Sequence, residues 1–299
     1  MARNKEKIME QKKFDGIFTA LLTPFDKNDC VNTKALSELV KFNLGMGVRG
    51  FYVTGSTGEA FLLSTEERKL VMETVKNAAP DATLIAHIGS PRAKEALELA
   101  KYAKELGYDA ISSVAPIYYK YSFEEIKNYY FKLADTASLP MLVYHIPTFS
   151  GVNFGVGEMR QFLDDDRFMG IKYTSNDFFM LEQCKSSFPD KIVYNGFDEM
   201  FLCGLSMGAD GAIGSTYNFM ADKFVKIHEL FKAGNITEAQ KLQIKANEII
   251  ALLCKVGVMP AEKEVLNLLG YDMGNCRHPF SPLSDEARKL VKEQILPLL

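Results

Sequence analysis

Short apolar segments alternate with longer amphipathic segments along most of this chain. The apolar segments predict β-strands at 16–23, 50–54, 83–88, 109–114, 140–146, 169–174, 191–195 and 211–215. The amphipathic segments predict helices at 33–47, 64–79, 91–106, 123–136, 156–163, 177–187, 198–208 and 221–233. Strands that are apolar on both faces are typical of a parallel sheet that is covered by helices.

Eight consecutive β–α units predict an α/β fold, the (β/α)8 TIM barrel. A doubly wound open sheet is the alternative, but it usually has fewer strands, and no G-x-G-x-x-G motif follows the first strand. We assign residues 14–233 to the barrel and residues 1–13 to an N-terminal tail. Residues 234–299 are assigned to a C-terminal helical extension, with an irregular linker at 270–282 and predicted helices at 236–256, 261–269 and 285–296.

The composition excludes several classes of function. Apolar residues make up 47% and charged residues 24% of the 299 residues, as in globular proteins. The net charge of −3 argues against nucleic acid as a partner, and no apolar run is long enough to span a membrane. The N-terminal tail lacks the apolar core of a signal peptide, and the five cysteines are scattered, so we expect reduced thiols and a cytoplasmic location. Cys276 and His278 form only half of a metal site, so we predict no bound metal.

Lys172 is the first candidate for chemistry, because it lies within the apolar run 168–174. Burial disfavours the ammonium form of a lysine, and a neutral lysine can form a Schiff base with a ketone. The alternative is a lysine at a strand end whose ammonium reaches water, which is the more common situation for a lysine considered alone. The rest of the chain favours the first interpretation.

Polar residues recur where the predicted strands end, which is where barrel enzymes place their active sites. Ser56 and Thr57 lie in the turn 55–59, whose backbone N–H groups suit a small anion such as a carboxylate, although an ordinary β–α turn is the alternative. Tyr144 ends the fifth strand and can carry a proton. Its neighbour His145 should then point out of the barrel, because side chains alternate along a strand.

Further polar residues follow the remaining strands. Thr174 comes two residues after Lys172 and therefore lies on the same face. Asp198 and Glu199 follow the seventh strand, where they can accept hydrogen bonds from sugar hydroxyls or simply occupy a solvated helix N-terminus. Ser215 belongs to the hydroxyl-rich turn 214–218. Tyr118 and Tyr119 follow the fourth strand.

The combination is more specific than any one residue. A carboxylate-binding turn, a lysine and a tyrosine at different strand ends suit Schiff-base chemistry on an α-keto acid. The turn holds the carboxylate, the lysine condenses with the ketone, and the tyrosine moves protons.

With these residues the chain resembles the dihydrodipicolinate synthase and N-acetylneuraminate lyase superfamily of pyruvate-dependent class I aldolases, over nearly its whole length after Phe14. The shared signature is the turn 55–59, Tyr144 in a Tyr-x-x-Pro context and Lys172 in Gly-x-Lys-x-Thr. The lyase branch is more similar, through the motifs at 58–61, 150–152, 195–199 and 208–218. The synthases carry an arginine where this chain has Phe149, which cannot pair with a carboxylate.

The resemblance implies a role for each of these residues. Lys172 would form the Schiff base, Tyr144 would relay protons, and Thr174 would contact the hydroxyl at the breaking bond. Further implied contacts are pyruvate carboxylate binding by Ser56 and Thr57, and sugar binding by Gly196, Asp198, Glu199 and Ser215. The resemblance also implies a homotetramer in which Tyr118 or Tyr119 enters the neighbouring site, and the sequence does not choose between the two.

The implied activity is the reversible cleavage of N-acetylneuraminate to N-acetyl-D-mannosamine and pyruvate, with a small-molecule substrate and no metal or organic cofactor. Two alternatives remain open from the sequence. One is another pyruvate aldolase of the same family, such as a sugar-acid aldolase or a dihydrodipicolinate synthase-like enzyme. The other is a non-catalytic keto-acid or sugar binding protein on the same fold.

Overall fold

A computed structural model describes residues 13–299, and these form a closed parallel barrel. Each strand pairs with the next along the chain, and β8 pairs with β1. The strands β1 to β8 are Gly16–Ala20, Gly50–Val53, Thr83–His87, Ala110–Val114, Met141–His145, Phe168–Tyr173, Ile192–Asn195 and Gly211–Gly214. The predicted (β/α)8 barrel is confirmed, whereas the prediction for the tail 1–13 lies outside the described residues except for Lys13.

Helices follow the strands and form the outer layer. The helices α1 to α9 are Thr33–Gly45, Thr65–Ala78, Ala93–Glu105, Phe123–Ala137, Pro147–Ser150, Val156–Leu163, Phe178–Ser187, Phe201–Ser206 and Tyr217–Lys232. Capping boxes fix where two of them begin. Ser64 and Glu67 bond reciprocally at the start of α2, and Ser122 and Glu125 do the same at the start of α4.

Two predicted helices differ from the observed ones because side chains near the barrel rim bind the backbone. The predicted helix 198–208 begins with a 3-10 turn, Asp198–Met200, and the Asp198 carbonyl accepts a hydrogen bond from Gln243. The helix α9 begins earlier than predicted and is interrupted at Met220, which has non-helical backbone angles. The Asn218 amide holds that first turn, since it donates to the carbonyls of Ala20 and Ser215.

The core has two layers, which the alternation of side chains along the strands separates. Residues that point inward, including Tyr52, Tyr144 and Tyr194, fill the barrel, and the other buried set packs between the barrel and the helices. Lys172 also points inward, because it pairs in register with Tyr144. His145 points outward and stacks on Tyr173, with ring centroids 5.1 Å apart, so its predicted direction is confirmed.

The C-terminal extension consists of α10 (Ile236–Val256), α11 (Val258–Leu268) and α12 (Asp285–Leu290), and α12 continues into a π-helical turn, Val291–Ile295. Residues of α10 and α11 line the cavity at the carboxyl end of the barrel. None of the helices in residues 13–299 is long and apolar enough to cross a membrane.

A buried ion pair attaches this extension to the barrel. Lys263 Nζ of α11 lies 2.6 Å from Glu59 Oε1, and both side chains have at most 1% of their surface exposed. Glu59 Oε2 accepts a hydrogen bond from the backbone N–H of Arg277, while Lys263 also donates to the carbonyl of Asn275. We call the Glu59 and Lys263 side chains the Glu59–Lys263 clamp. It joins the turn after β2 to the linker and to α11.

Candidate active site

The carboxyl ends of the strands surround a cavity of about 630 Å³. Residues of the candidate site that line it are Ser56, Thr57, Tyr144, Lys172, Thr174, Gly196, Asp198, Glu199 and Ser215. The structure thus brings together side chains from strand ends that are far apart in sequence. Tyr118 and Tyr119 do not line this cavity but lie outside it, with 90% and 69% of their surface exposed.

Lys172 lies inside the barrel near the floor of the cavity. Its side chain belongs to β6 and is only 5% exposed, so the alternative interpretation as a surface lysine is wrong. Its Nζ lies 4.3 Å from the ring centroid of Tyr144 and 4.4 Å from that of Tyr52. The amine therefore sits over aromatic faces and opens towards the cavity, where a carbonyl carbon can approach it.

The turn 55–59 is shaped by two unusual backbone positions. Thr54 has a φ of 55°, and its hydroxyl donates to the His87 carbonyl at 2.8 Å. At Gly55 a side chain is excluded, because a Cβ atom would lie 2.7 Å from the Tyr52 ring. The backbone N–H groups of Ser56 and Thr57 donate to no acceptor within residues 13–299. They are free to bind an anion in the cavity.

His87 supports this turn, and sequence reasoning missed it. Its Nδ1 lies 2.9 Å from the Thr54 carbonyl, and its ring lies edge-on to that of Tyr144 at 6.0 Å. Burial and the nearby Arg68 guanidinium lower the pKa of His87 to about 3. The ring is therefore neutral and donates from Nδ1 to Thr54. The signal in the sequence was a lone polar residue at the end of the third strand.

Arg68 in α2 binds the backbone at His87 and in the loop that follows β3. Its guanidinium donates to the His87 carbonyl at 2.6 Å and to the Gly89 carbonyl at 2.8 Å. Burial lowers the pKa of Arg68 to about 10, so it stays charged at neutral pH. A buried arginine thereby fixes the loop that follows β3.

Asp198 and Glu199 differ in environment. Asp198 is 6% exposed, and its Oδ2 accepts hydrogen bonds from the backbone N–H and the hydroxyl of Thr216, at 2.9 and 2.7 Å. Burial raises the pKa of Asp198 to about 6 despite these bonds. Glu199 is exposed, as a solvated helix N-terminus would predict. Asp198 is therefore a fixed acceptor in the cavity wall, while Glu199 is free to turn towards a ligand.

Close contacts explain why two positions here are glycine. A Cβ atom on Gly196 would lie 1.9 Å from Thr174 Oγ1, and one on Gly214 would lie 1.8 Å from Asp198 Oδ1. Thr174 Oγ1 is buried and has no hydrogen-bond partner within the described part of the chain. Gly196 therefore leaves the Thr174 hydroxyl in place at the cavity wall, two residues after Lys172 and just beyond the end of β6.

Ser215 contacts a residue that sequence reasoning missed. Its hydroxyl lies 2.7 Å from Glu262 Oε1, and Glu262 has no exposed surface. Burial raises the pKa of Glu262 to about 8. The sequence shows Glu262 near the start of a helix, where acidic residues are common on the surface. Nothing in that pattern indicates that a neighbouring turn covers the carboxyl group.

Within residues 13–299 no cluster of three or more histidine, cysteine or acidic side chains is arranged to hold a metal ion. The five cysteines are free thiols. The half-site at Cys276 and His278 therefore gains no further ligand from the fold.

Comparisons with known proteins match nearly the whole chain. A family model described as the dihydrodipicolinate synthetase family matches residues 13–296. The N-acetylneuraminate lyase of Rhizobium meliloti is 43% identical over 288 residues, which cover 96% of each chain.

Solved structures match the fold as well as the sequence. CdNal from Clostridium difficile, solved in complex with mannosamine, superimposes with a TM-score of 0.93 at 39% identity, covering 95% of this chain and 99% of that one. The N-acetylneuraminate lyase of Fusobacterium nucleatum, solved with pyruvate, gives a TM-score of 0.90 at 40% identity, covering 94% and 96%.

Proposed function

The chain belongs to the dihydrodipicolinate synthetase family, and we propose that it is an aldolase that reversibly cleaves N-acetylneuraminate to N-acetyl-D-mannosamine and pyruvate. The observation that carries this proposal is the position of Lys172, whose amine lies inside the barrel over the Tyr144 ring and faces the cavity. The relatives that match nearly the whole chain and bear the name N-acetylneuraminate lyase support the same substrate.

The reaction begins with the keto acid end of the open-chain sugar. Its carboxylate is bound by the hydroxyls and the free backbone N–H groups of Ser56 and Thr57. The Lys172 amine attacks the adjacent ketone carbon, and loss of water gives an iminium ion. Because this iminium is the electron sink, the proposed reaction requires no metal or organic cofactor.

Cleavage breaks the bond between the carbons that are α and β to the former ketone. The electron pair of that bond moves towards the iminium nitrogen as the β-hydroxyl loses its proton, so the aldehyde leaves and an enamine remains on Lys172. The enamine then takes up a proton at its α carbon, and water hydrolyses the iminium to release pyruvate and the free lysine. Tyr144 is close enough to Lys172 to carry these protons, and the unpartnered Thr174 hydroxyl can bind the β-hydroxyl.

The remaining cavity wall suits an uncharged polyol. Asp198 and Glu199 offer carboxylate oxygens to sugar hydroxyl groups, the Ser215 hydroxyl can also bind the sugar, and Gly196 allows close approach. Phe149 lines the same cavity and is 78% exposed. An aldehyde that carries a second carboxylate would meet this phenyl ring rather than a cation, which argues against a synthase-like substrate.

We also propose a homotetramer in which Tyr118 reaches the cavity of a neighbouring subunit. Tyr118 is 90% exposed and has a φ of 78°, a conformation that costs a bulky residue roughly 1–3 kcal/mol and that normally persists where function requires it. Tyr119 lacks this backbone conformation, so Tyr118 is the better candidate. Light scattering measures the number of subunits in the assembly. Tyr118→Phe should lower turnover while that number stays the same. The cytoplasmic location stays a prediction.

Trapping tests the Schiff base directly. Incubation with pyruvate and borohydride should reduce the iminium to a stable amine, and mass spectrometry should locate the added mass on Lys172. Lys172→Met is the matched control and should remain unmodified. An active protein whose Lys172 stays unmodified would contradict the mechanism.

Two further assays separate the alternatives. Release of pyruvate from N-acetylneuraminate, followed with a coupled assay, is expected for the aldolase, whereas saturable binding without turnover would indicate a binding protein. If Asp198→Ala with Glu199→Ala left cleavage of N-acetylneuraminate intact, the assigned sugar contacts would be wrong.

A further inference from the structure

Glu262 is a fully buried carboxyl group that the proposed mechanism does not use. It lies in α11, and within the described part of the chain only the hydroxyl of Ser215 contacts it by a hydrogen bond, at 2.7 Å from Oε1. Its other oxygen, Oε2, is buried and has no hydrogen-bond partner within residues 13–299. Ser215 itself lines the cavity.

The unpartnered oxygen indicates where the proton of Glu262 resides. An ionised carboxylate would leave a buried, charged Oε2 without a donor, which is costly. A neutral acid with its proton on Oε2 would instead leave a donor unpaired. A neutral acid with its proton on Oε1 donates to Ser215 and leaves only a carbonyl oxygen unpaired, so it has the smallest penalty.

The direction of this hydrogen bond determines what Ser215 can offer to a ligand. When Glu262 donates to Ser215, the serine proton is free to point into the cavity. When Glu262 is ionised, Ser215 must donate to it, and only lone pairs of the serine face the cavity. The two states therefore favour opposite partners, an acceptor in the first case and a donor in the second.

We propose that Glu262 is a positioning residue that stays neutral at working pH, donates to Ser215, and thereby makes Ser215 a hydrogen-bond donor towards an acceptor oxygen of the substrate. The substrate part of this inference rests on the proposed function. The protonation of Glu262 and its bond to Ser215 do not, since they follow from the geometry of the protein alone.

The charges around Glu262 support a neutral acid. Burial is the main cause that raises its pKa to about 8, and the Asp198 carboxylate raises it further, while the Ser215 hydroxyl lowers it. Burial is the main cause that raises the pKa of the nearby Cys276 thiol, and the Glu262 carboxylate makes a small further contribution. The neighbouring ammonium of Lys263 is bound to Glu59. As the pH rises through about 8, Glu262 ionises. Ser215 then donates to Glu262 and presents only acceptor lone pairs to the cavity.

Infrared spectroscopy of the protein with 13C-labelled glutamate tests the protonation without any turnover. The spectrum of the unaltered protein minus that of Glu262→Gln should show the carbonyl band of one protonated acid at pH 7, which disappears as the pH rises past about 8. Ser215→Ala should shift that band, because it removes the partner. Carboxylate bands at pH 7, or a band that Ser215→Ala leaves unmoved, would overturn the proposal.

Kinetics test the consequence for the substrate. In the unaltered protein KM for N-acetylneuraminate should rise about threefold to tenfold between pH 7 and pH 9, the effect expected for one hydrogen bond. In Glu262→Gln this rise should be absent, because the amide donates to Ser215 at every pH. Glu264→Gln, on the same helix but bound to Arg288, is the control and should keep the rise.

These outcomes separate the two proposals. If the unaltered protein releases no pyruvate, the proposed function fails, while the infrared result still decides the state of Glu262. If cleavage occurs but Glu262→Gln shows the same rise in KM as the unaltered protein, the assigned role of Glu262 fails and the function stands. Trapping of pyruvate on Lys172 verifies that Glu262→Gln is folded.

Discussion

Replacing Lys263 by methionine should destabilise the protein strongly, because it breaks the Glu59–Lys263 clamp and leaves Glu59 buried. Among residues 13–299 the Lys263 ammonium donates two hydrogen bonds, at 2.6 Å to Glu59 and 3.1 Å to the Asn275 carbonyl, and it lies 4.3 Å from the ring centroid of Phe25. Removing one partner of a buried pair costs about 3–5 kcal/mol.

The two contacts account for a loss of this size. A hydrogen bond to a charged group contributes about 1.5–3 kcal/mol, and a buried carbonyl left without a donor costs about 1–3 kcal/mol. Methionine keeps most of the side-chain volume, so the cavity contribution is small. Burial also lowers the pKa of Lys263, which means that the ammonium itself is held at a cost. Most of the expected loss therefore arises from the groups that it leaves unpaired.

Urea unfolding measures this loss, and a second substitution tests its cause. Lys263→Met with Glu59→Gln should be more stable than Lys263→Met alone, since no buried carboxylate remains. Lys241→Met is the matched control, because Lys241 pairs with Glu238 at 2.7 Å but both side chains are at least half exposed. It should cost less than about 1 kcal/mol. Equal losses for the two lysines would refute the reasoning.

Three further predictions concern the cavity and its support. Phe149→Arg should raise kcat/KM for aldehydes that carry a carboxylate relative to N-acetyl-D-mannosamine in the condensation direction, and an unchanged ratio would mean that this position does not contact the substrate. Gly196→Ala should lower kcat about tenfold or more and cost about 1–3 kcal/mol of stability, because its Cβ would lie 1.9 Å from Thr174 Oγ1 and must displace that hydroxyl. The His87 side chain should lower the free energy of unfolding at acidic pH, because its pKa is about 3 in the folded state and 6.5 when unperturbed. The neutral ring stabilises the fold fully above pH 6.5, and a few kcal/mol are lost as the pH falls through this range towards 3. In His87→Gln the unfolding free energy should fall less steeply over the same range, and an equally steep fall would assign the loss to other groups.

The sequence predicted the barrel because strands and helices each leave a periodic signal. The same logic placed Thr174 on the same face as Lys172, since the alternation of side chains along a strand follows from backbone geometry alone. It also gave His145 the correct outward direction. These predictions depend only on neighbouring residues in the chain, which is why they succeeded.

The groups that were missed depend on packing between distant segments. His87 is positioned by a carbonyl of the preceding β–α loop and by Arg68 of α2, and no local pattern encodes those contacts. Glu262 lies 47 residues from Ser215 in the chain. An acidic residue near a helix start looks the same in sequence whether it faces water or lies buried.

The cavity is bordered by glycines at the strand ends and by side chains of the C-terminal extension, and this difference affects how new substrate ranges can arise. At Gly196 and Gly214 any side chain collides with Thr174 or with Asp198, so these positions cannot vary independently of their partners. Met259 of α11, by contrast, projects a flexible side chain into the same cavity from a segment outside the barrel. Changes that favour a different aldehyde should therefore accumulate in the C-terminal extension and at Phe149, while Gly196 and Gly214 stay unchanged.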